Sequence, residues 1–197
     1  MTGRFLGLSI SMCFLSALPV YAGAPLDSVQ THVNKVLDML RDPKLKAESA
    51  KEFKKEKLRA IYQQMFDEGE LSRRTLGGNW NKLNPAQQQE FIELFRELLG
   101  RVYIDKILAY TDEKIVYSKE HMLSNNQAEV QTKVITSSKE ISIFYRVILK
   151  DGTWKVYDVV IENVGLVQNY RSQFNSILAK NTPDQLLESL RKKVQGQ

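Results

Sequence analysis

The feature of this sequence that most limits its fold is a change in the spacing of its apolar residues. Before residue 110 and after residue 165, apolar side chains recur every three or four positions, which is typical of amphipathic helices. Between these limits the pattern changes to that of strands, over residues 115–122, 128–136, 141–149 and 154–163. Short turn signals such as Asp151-Gly152 separate the four strands and predict an antiparallel meander. Helices, then strands, then helices indicate an α+β fold.

Two of the predicted helices have marked starts. Asn84-Pro85-Ala86-Gln87 and Thr182-Pro183-Asp184-Gln185 each place a capping residue before Pro and Gln, which is the pattern of a capping box. The first of these helices is expected to continue to about Ala109. Its apolar stripe consists of Phe91, Leu94, Phe95, Leu98, Leu99 and Val102.

A run rich in Lys and Glu occupies residues 44–57, ahead of an apolar stripe that includes Leu58, Ile61 and Tyr62. Two interpretations are open. The run is a patch that docks on lipid headgroups, or it is the solvated face of a helix, which is the more common case.

The N-terminal segment has the features of a secretory signal peptide. Arg4 precedes an apolar run over residues 5–20, shorter than the roughly 20 residues that a membrane-spanning helix needs. The run ends in the small residues Ala22, Gly23 and Ala24, as a cleavage site requires. We expect residues 1–22 to be removed and residues 23–197 to form a single periplasmic domain. The alternative is a buried first helix.

Cleavage would change the chemistry that the chain can perform. It would remove Cys13, the single cysteine, and with it any disulfide, thiolate nucleophile or cysteine metal ligand. The net charge would fall from +5 to +4, because Arg4 is lost. Such a charge is compatible with anionic membrane surfaces but too small to indicate nucleic-acid binding.

The last predicted hairpin shows which side chains share a face of the sheet. A turn at Asp151-Gly152 pairs Leu149 with Trp154 and Val147 with Val156. Continued without interruption, this register pairs Tyr145 with Asp158 and Ile143 with Val160. Both faces of the sheet are then largely apolar, whereas a sheet with one wet face alternates cleanly. Either helices and partial cover bury both faces, or the sheet and helices enclose more apolar surface than they fill.

Signatures of catalysis are scarce. His32 and His121 have no metal-ligand spacing, and no nucleophile elbow, phosphate loop or dinucleotide motif is present, so neither a metal nor a cofactor is expected. Asp158 is the one ionisable residue on the more apolar predicted face. It is either a general base, as in small cone-shaped isomerases, or a structural carboxylate paired with an arginine such as Arg171 or bonded to Tyr145.

The C-terminal part of the sequence resembles a known family. Two segments are similar to the signature of the MlaC family, which consists of periplasmic phospholipid carriers also called toluene-tolerance auxiliary proteins. They are Trp154-Lys155-Val156-Tyr157-Asp158-Val159 and Leu166-Val167-Gln168-Asn169-Tyr170-Arg171-Ser172-Gln173-Phe174. Leu76-Gly77-Gly78-Asn79-Trp80 and the segment from Leu83 to Leu99 also match the family pattern. Gly78 and Asn163 depart from it.

The resemblance implies a cone-shaped, NTF2-like α+β fold, whose curved four-stranded sheet and N- and C-terminal helices enclose an apolar pocket. It implies that the protein is not an enzyme but a phospholipid shuttle. Such a shuttle preserves the lipid asymmetry of the outer membrane. The expected partners are an inner-membrane ABC transporter complex and an outer-membrane lipoprotein–porin complex. The protein itself is expected to be a monomer. The residues expected to line the pocket are Leu94, Leu98, Val102, Ile143, Tyr145, Val147, Trp154, Val156, Val160, Tyr170 and Phe174.

Two other functions remain open from the sequence. The first is a small isomerase- or hydrolase-like periplasmic enzyme that uses Asp158. The second is a periplasmic adaptor that binds protein partners through a basic face.

Overall fold

Six α-helices and five strands make up the described part of the protein. The structure is a computed structural model and describes residues 24–109 and 113–196, so the predicted signal peptide lies outside the described residues. The helices are α1 Ala24–Arg41, α2 Lys51–Met65, α3 Glu68–Leu76, α4 Pro85–Leu108, α5 Leu166–Leu178 and α6 Pro183–Gln195. The strands are β1 Lys114–Ser124, β2 Gln127–Ile135, β3 Glu140–Lys150, β4 Thr153–Ile161 and β5 Val164–Gly165.

Both predicted capping boxes are confirmed. The side chain of Asn84 accepts a hydrogen bond from the backbone N–H of Gln87, whose own side chain accepts one from the Asn84 N–H, at 2.9 Å each. Thr182 and Gln185 make the same reciprocal pair at the start of α6. The sequence pattern did not separate α3 from α2. Asp67 makes this break, because its carboxylate accepts a hydrogen bond from the Glu70 N–H at 2.9 Å and starts a new helix.

The sheet is a curved, open antiparallel meander in the order β1-β2-β3-β4-β5, as predicted. It has five strands rather than four, because the chain turns at Glu162 and Asn163 and the two-residue β5 pairs with β4. Both turn residues have positive φ, 50° and 66°, which matches a type I′ hairpin turn.

A bulge in β4 changes the predicted register of the last hairpin. Leu149 pairs with Trp154 and Val147 with Val156, as expected. The next pairs are Arg146 with Asp158 and Tyr145 with Val159, so Tyr157 is an extra residue in β4. The predicted pairs of Tyr145 with Asp158 and of Ile143 with Val160 are therefore wrong.

The bulge moves side chains from one face of the sheet to the other. Because successive residues of a strand point to opposite faces, one inserted residue reverses the orientation of all that follow. Val159 therefore shares a face with Tyr145 and Val147. Asp158 and Val160 lie on the other face, with Arg146 and Phe144.

Buried apolar side chains form two separate cores. The first, here called the sheet core, joins Val29, Val33 and Leu37 of α1 to Met65 of α2 and to one face of the sheet. The second, the helical core, is built from α3, α4, α5 and α6 together with Leu83, and its buried members include no strand residue of the described chain. Half-buried Phe66, which follows α2, packs against both cores.

Candidate functional site

Four of the predicted pocket residues lie together on the sheet. Val147, Trp154 and Val156 are buried members of the sheet core, and half-buried Tyr145 packs against them. The first turns of α1 cover this surface, where the Ser28 Oγ donates a hydrogen bond to the Trp154 carbonyl at 3.0 Å. Burial raises the pKa of the Tyr145 hydroxyl, so this group stays neutral.

Five other predicted residues lie in the helical core. Leu98, Tyr170 and Phe174 are buried there, and Leu94 and Val102 pack against them half-buried. Aromatic rings dominate this core. The ring centroid of Phe95 lies 5.0 Å from that of Tyr170 and 5.7 Å from that of Phe174, both edge to face.

The last two predicted residues, Ile143 and Val160, belong to neither core among the described residues. Ile143 follows the strand alternation to the face of Tyr145, whereas the bulge places Val160 on the opposite face. The eleven residues therefore do not form one continuous lining. Nine of them lie on two surfaces, one on the sheet and one on the helices, and Val160 lies on the opposite face of the sheet.

Phe66 marks the boundary between these two surfaces. Its ring stacks on that of Tyr62, with centroids 4.4 Å apart. The backbone is fixed to the sheet at this point, because the Asp67 N–H donates to the Val156 carbonyl at 2.9 Å. Half-buried apolar side chains remain on both cores, among them Leu94 and Val102 on α4 and Tyr145 and Val159 on the sheet. These side chains are only partly covered by the rest of the described chain.

Two polar atoms near this boundary were not expected from the sequence. The Tyr62 hydroxyl and the Glu68 Oε1 are buried and have no hydrogen-bond partner in the described chain. The other oxygen of Glu68 lies 3.3 Å from Nη1 of Arg96 on α4. Burial, followed by the charge of Glu68, raises the pKa of Tyr62. Tyr62 fitted the apolar stripe of α2, so nothing in the sequence distinguished it.

Asp158 is buried between the start of α5 and Arg146. It is 3% exposed; its Oδ1 accepts the N–H of Val167 at 2.9 Å and its Oδ2 lies 3.3 Å from Nη1 of Arg146. The expected partner Arg171 instead donates to the carbonyl of Arg74, and the bulge turns Asp158 away from Tyr145. Burial raises the pKa of Asp158, against the opposing effects of the Val167 N–H and Arg146. Both oxygens are occupied by groups of the chain, which does not favour a general base.

Two open recesses of the described surface include several charged residues in their lining. One of about 480 Å³ lies between Phe66 and the β3–β4 turn, lined by Asp67, Glu68, Lys150, Asp151 and Lys155 among others. A second of about 290 Å³ holds Asp158 with Arg74, Arg146 and Arg171. Within residues 24–109 and 113–196, no cluster of His, Cys, Asp and Glu could hold a metal ion.

Comparison with known proteins shows the family of this chain. The family model described as MlaC protein matches residues 30–192. The chain belongs to the MlaC family. One curated MlaC relative is the intermembrane phospholipid transport system binding protein of Haemophilus influenzae, 25% identical over 122 residues. That alignment covers 59% of this chain and 57% of the relative.

A second relative is the toluene tolerance protein Ttg2D of Pseudomonas putida. It is 24% identical to this chain over an alignment that covers 90% of this chain and 84% of that protein. Among solved structures, a phospholipid-binding protein from Ralstonia solanacearum in complex with a phospholipid superposes with a TM-score of 0.77. It is 24% identical and covers 89% of this chain and 98% of its own, which establishes the shared fold. None of the described helices is long and apolar enough to cross a membrane.

Proposed function

We propose that this MlaC-family protein is a phospholipid carrier that holds the acyl chains of its cargo between the sheet core and the helical core. The observation that carries the proposal is the family match over residues 30–192. It is supported by the phospholipid complex of the Ralstonia solanacearum protein, which has the same fold.

The physical need for such a carrier follows from the cargo. Each buried methylene is worth about 0.8 kcal/mol, so two chains of roughly sixteen carbons represent more than about 20 kcal/mol of apolar transfer. A phospholipid without a carrier would need this free energy to leave the membrane for water, so its unassisted transfer is too slow to be useful. A carrier must offer an apolar interior comparable to the membrane, and it needs no catalytic group.

The location between the two cores is favoured by how the apolar side chains are distributed. The helical core is complete without the sheet, so cargo inserted between them would not disrupt its aromatic packing. Leu94 and Val102 on one side, and Tyr145 and Val159 on the other, already present half-buried apolar surface. The unpartnered Tyr62 hydroxyl can donate a hydrogen bond to an ester oxygen where the chains join the glycerol.

The transport role extends this binding function. In the proposal, the protein works in the periplasm as a monomer and docks alternately on an outer-membrane lipoprotein–porin complex and an inner-membrane ABC transporter complex. Its activity would maintain the lipid asymmetry of the outer membrane. Because a passive pocket only equilibrates its cargo, the direction of transport must come from these partners.

Mass spectrometry of lipid extracted from protein purified from the periplasm tests the binding step. We expect about one phospholipid per chain. Protein that is folded but free of lipid after gentle purification would contradict the proposal.

A tryptophan on the sheet face that carries Tyr145 and Val147 tests the location of the cargo. Val159→Trp should lower the lipid content while shifting the melting temperature little, because the added ring enters space that cargo would occupy. The matched control is Val116→Trp. Val116 is an exposed residue of β1 on the opposite face of the sheet, so this variant should retain its lipid. If Val159→Trp stays loaded, or loses lipid only by unfolding, the proposed location is wrong.

A further inference from the structure

We propose that residues 43–59, here called the basic segment, form a docking surface for an anionic membrane. The segment comprises the two 3-10 turns Pro43–Leu45 and Glu48–Ala50 and the first half of α2. This inference goes beyond lipid carriage, because it concerns where the protein rests rather than what it holds.

Positive charge is unevenly distributed along the chain. The basic segment contains seven basic and three acidic side chains. The other residues after position 22 contain 20 of each sign. The whole excess of positive charge expected for the mature chain is therefore concentrated in 17 residues. Elsewhere basic and acidic side chains balance, so the field of the protein is directional.

Intramolecular pairing leaves much of this positive charge uncompensated. Lys51 pairs with Glu48 at 3.3 Å and Lys55 with Glu52 at 2.9 Å. In the described chain, Lys44, Lys46 and Lys57 are exposed and take part in no ion pair. Salt bridges between neighbouring turns of one helix are weak in any case, so the paired lysines also remain available to an external anion.

An aromatic side chain lies in the middle of this positively charged segment. Phe53 is 47% exposed, although the same helix buries Leu58 and Met65 against the rest of the protein. The Nζ of Lys57 lies 4.9 Å from the centre of the Phe53 ring. A basic helix with an exposed aromatic residue matches the composition of helices that lie in the interfacial region of a bilayer, with the ring at the acyl boundary and lysines at the phosphates.

These features select a lipid surface over an acidic protein face. Charge complementarity alone fits both, but a strongly acidic protein face offers carboxylates and no apolar region for the exposed Phe53 ring, whereas a bilayer offers phosphates and acyl chains together. A bilayer accepts this arrangement without precise register. Because each Lys near an anionic surface contributes to binding, the contact should also be sensitive to salt.

Vesicle flotation with the exported, purified protein tests the inference. The protein should float with vesicles of phosphatidylethanolamine and phosphatidylglycerol and not with vesicles of phosphatidylcholine, and added salt should reverse the binding. The triple variant Lys44→Gln, Lys46→Gln, Lys57→Gln should bind about 100-fold more weakly at low ionic strength, at roughly fivefold for each lysine. Phe53→Ser should also weaken binding, with less dependence on salt.

The control carries the same charge change elsewhere. Lys139, Lys180 and Lys193 are exposed lysines outside the basic segment, and their replacement by Gln should leave binding within about twofold of the wild type. Equal losses in the two triple variants would overturn the inference, as would binding of the wild type to both vesicle types alike. Binding of the wild type to neither vesicle type would also overturn the inference. An acidic protein face would then be the partner left to consider for the basic segment. Lipid content should stay unchanged in all variants, which separates this test from that of the carrier function.

Discussion

Asp158 allows a sharp test, because its two oxygens have different neighbours. Oδ1 accepts the N–H of Val167 in the first turn of α5, a helix whose preceding residue Gly165 offers no side-chain cap. Oδ2 faces Arg146, which also contacts Glu129 at 3.2 Å. An asparagine at position 158 can keep the first contact, and Arg146 would keep a counter-charge. An alanine would lose the contacts of both Asp158 oxygens, although Arg146 would still face Glu129.

The expected costs follow from these contacts. Asp158→Asn should lower the free energy of unfolding by less than about 1.5 kcal/mol, since the lost pair is partly open to water and Arg146 retains a partner. Asp158→Ala should cost at least about 1–3 kcal/mol more, because the buried Val167 N–H loses its acceptor. Denaturant unfolding of the three proteins at neutral pH measures both differences. If Asn proves as costly as Ala, the cap on α5 is not the main role of Asp158.

The pH dependence gives an independent check. Burial raises the pKa of Asp158 above its ordinary value near 3.8, so the ionised carboxylate costs stability in the folded state. This cost is present above the folded pKa and disappears as the pH falls through it towards 3.8. The wild type should therefore gain stability relative to Asp158→Asn across that window. A relative loss on acidification would refute the reasoning.

Two further predictions concern the loop before α4 and the processing of the chain. Gly77 has a φ of 54° whereas Gly78 has no positive φ and open space around its Cα, so thermal melts should show Gly77→Ala destabilised by about 1–2 kcal/mol and Gly78→Ala nearly unchanged. Equal effects would show that backbone strain at Gly77 is not the cause. Intact-mass measurement of periplasmic protein should show Gly23 as the first residue, and a mass that includes residues 1–22 would contradict the export argument.

Local signals in the sequence predicted most of the order of elements but missed α3 and β5, and contacts between distant residues decided much of the rest. The capping boxes at Asn84 and Thr182 and the turn at Asp151-Gly152 each depend on a few neighbouring residues, so they could be recognised. The bulge at Tyr157 carries no glycine or other local mark, and it changed the face on which Asp158 and Val160 lie. A pattern of alternation cannot reveal an inserted residue in the middle of an apolar strand.

The candidate site was predicted less completely for a related reason. Periodicity identified Leu98, Phe174 and Val147 as inward-facing residues, and all three are buried. It could not show that α1 covers the sheet while α3 to α6 pack on one another, because both arrangements bury similar stripes. Separation into two cores is therefore a tertiary property.

The way α1 and α2 are attached to the sheet has a mechanical consequence. The start of α1 is held by the Leu26 N–H bonded to Glu120 at 2.9 Å, and the end of α2 by Lys155 bonded to the carbonyl of Gln64. The turn between the helices lies about 20 Å from these anchors, at 1.5 Å of rise per residue. The far end of α1 is also tied to the sheet region, because Arg41 donates a hydrogen bond to the Glu113 carbonyl just before β1 at 3.4 Å. A force on the turn would therefore pass along α1 into the sheet rather than tilt the helix about a single anchor, so that contact at the tip and strain in the interior become linked quantities.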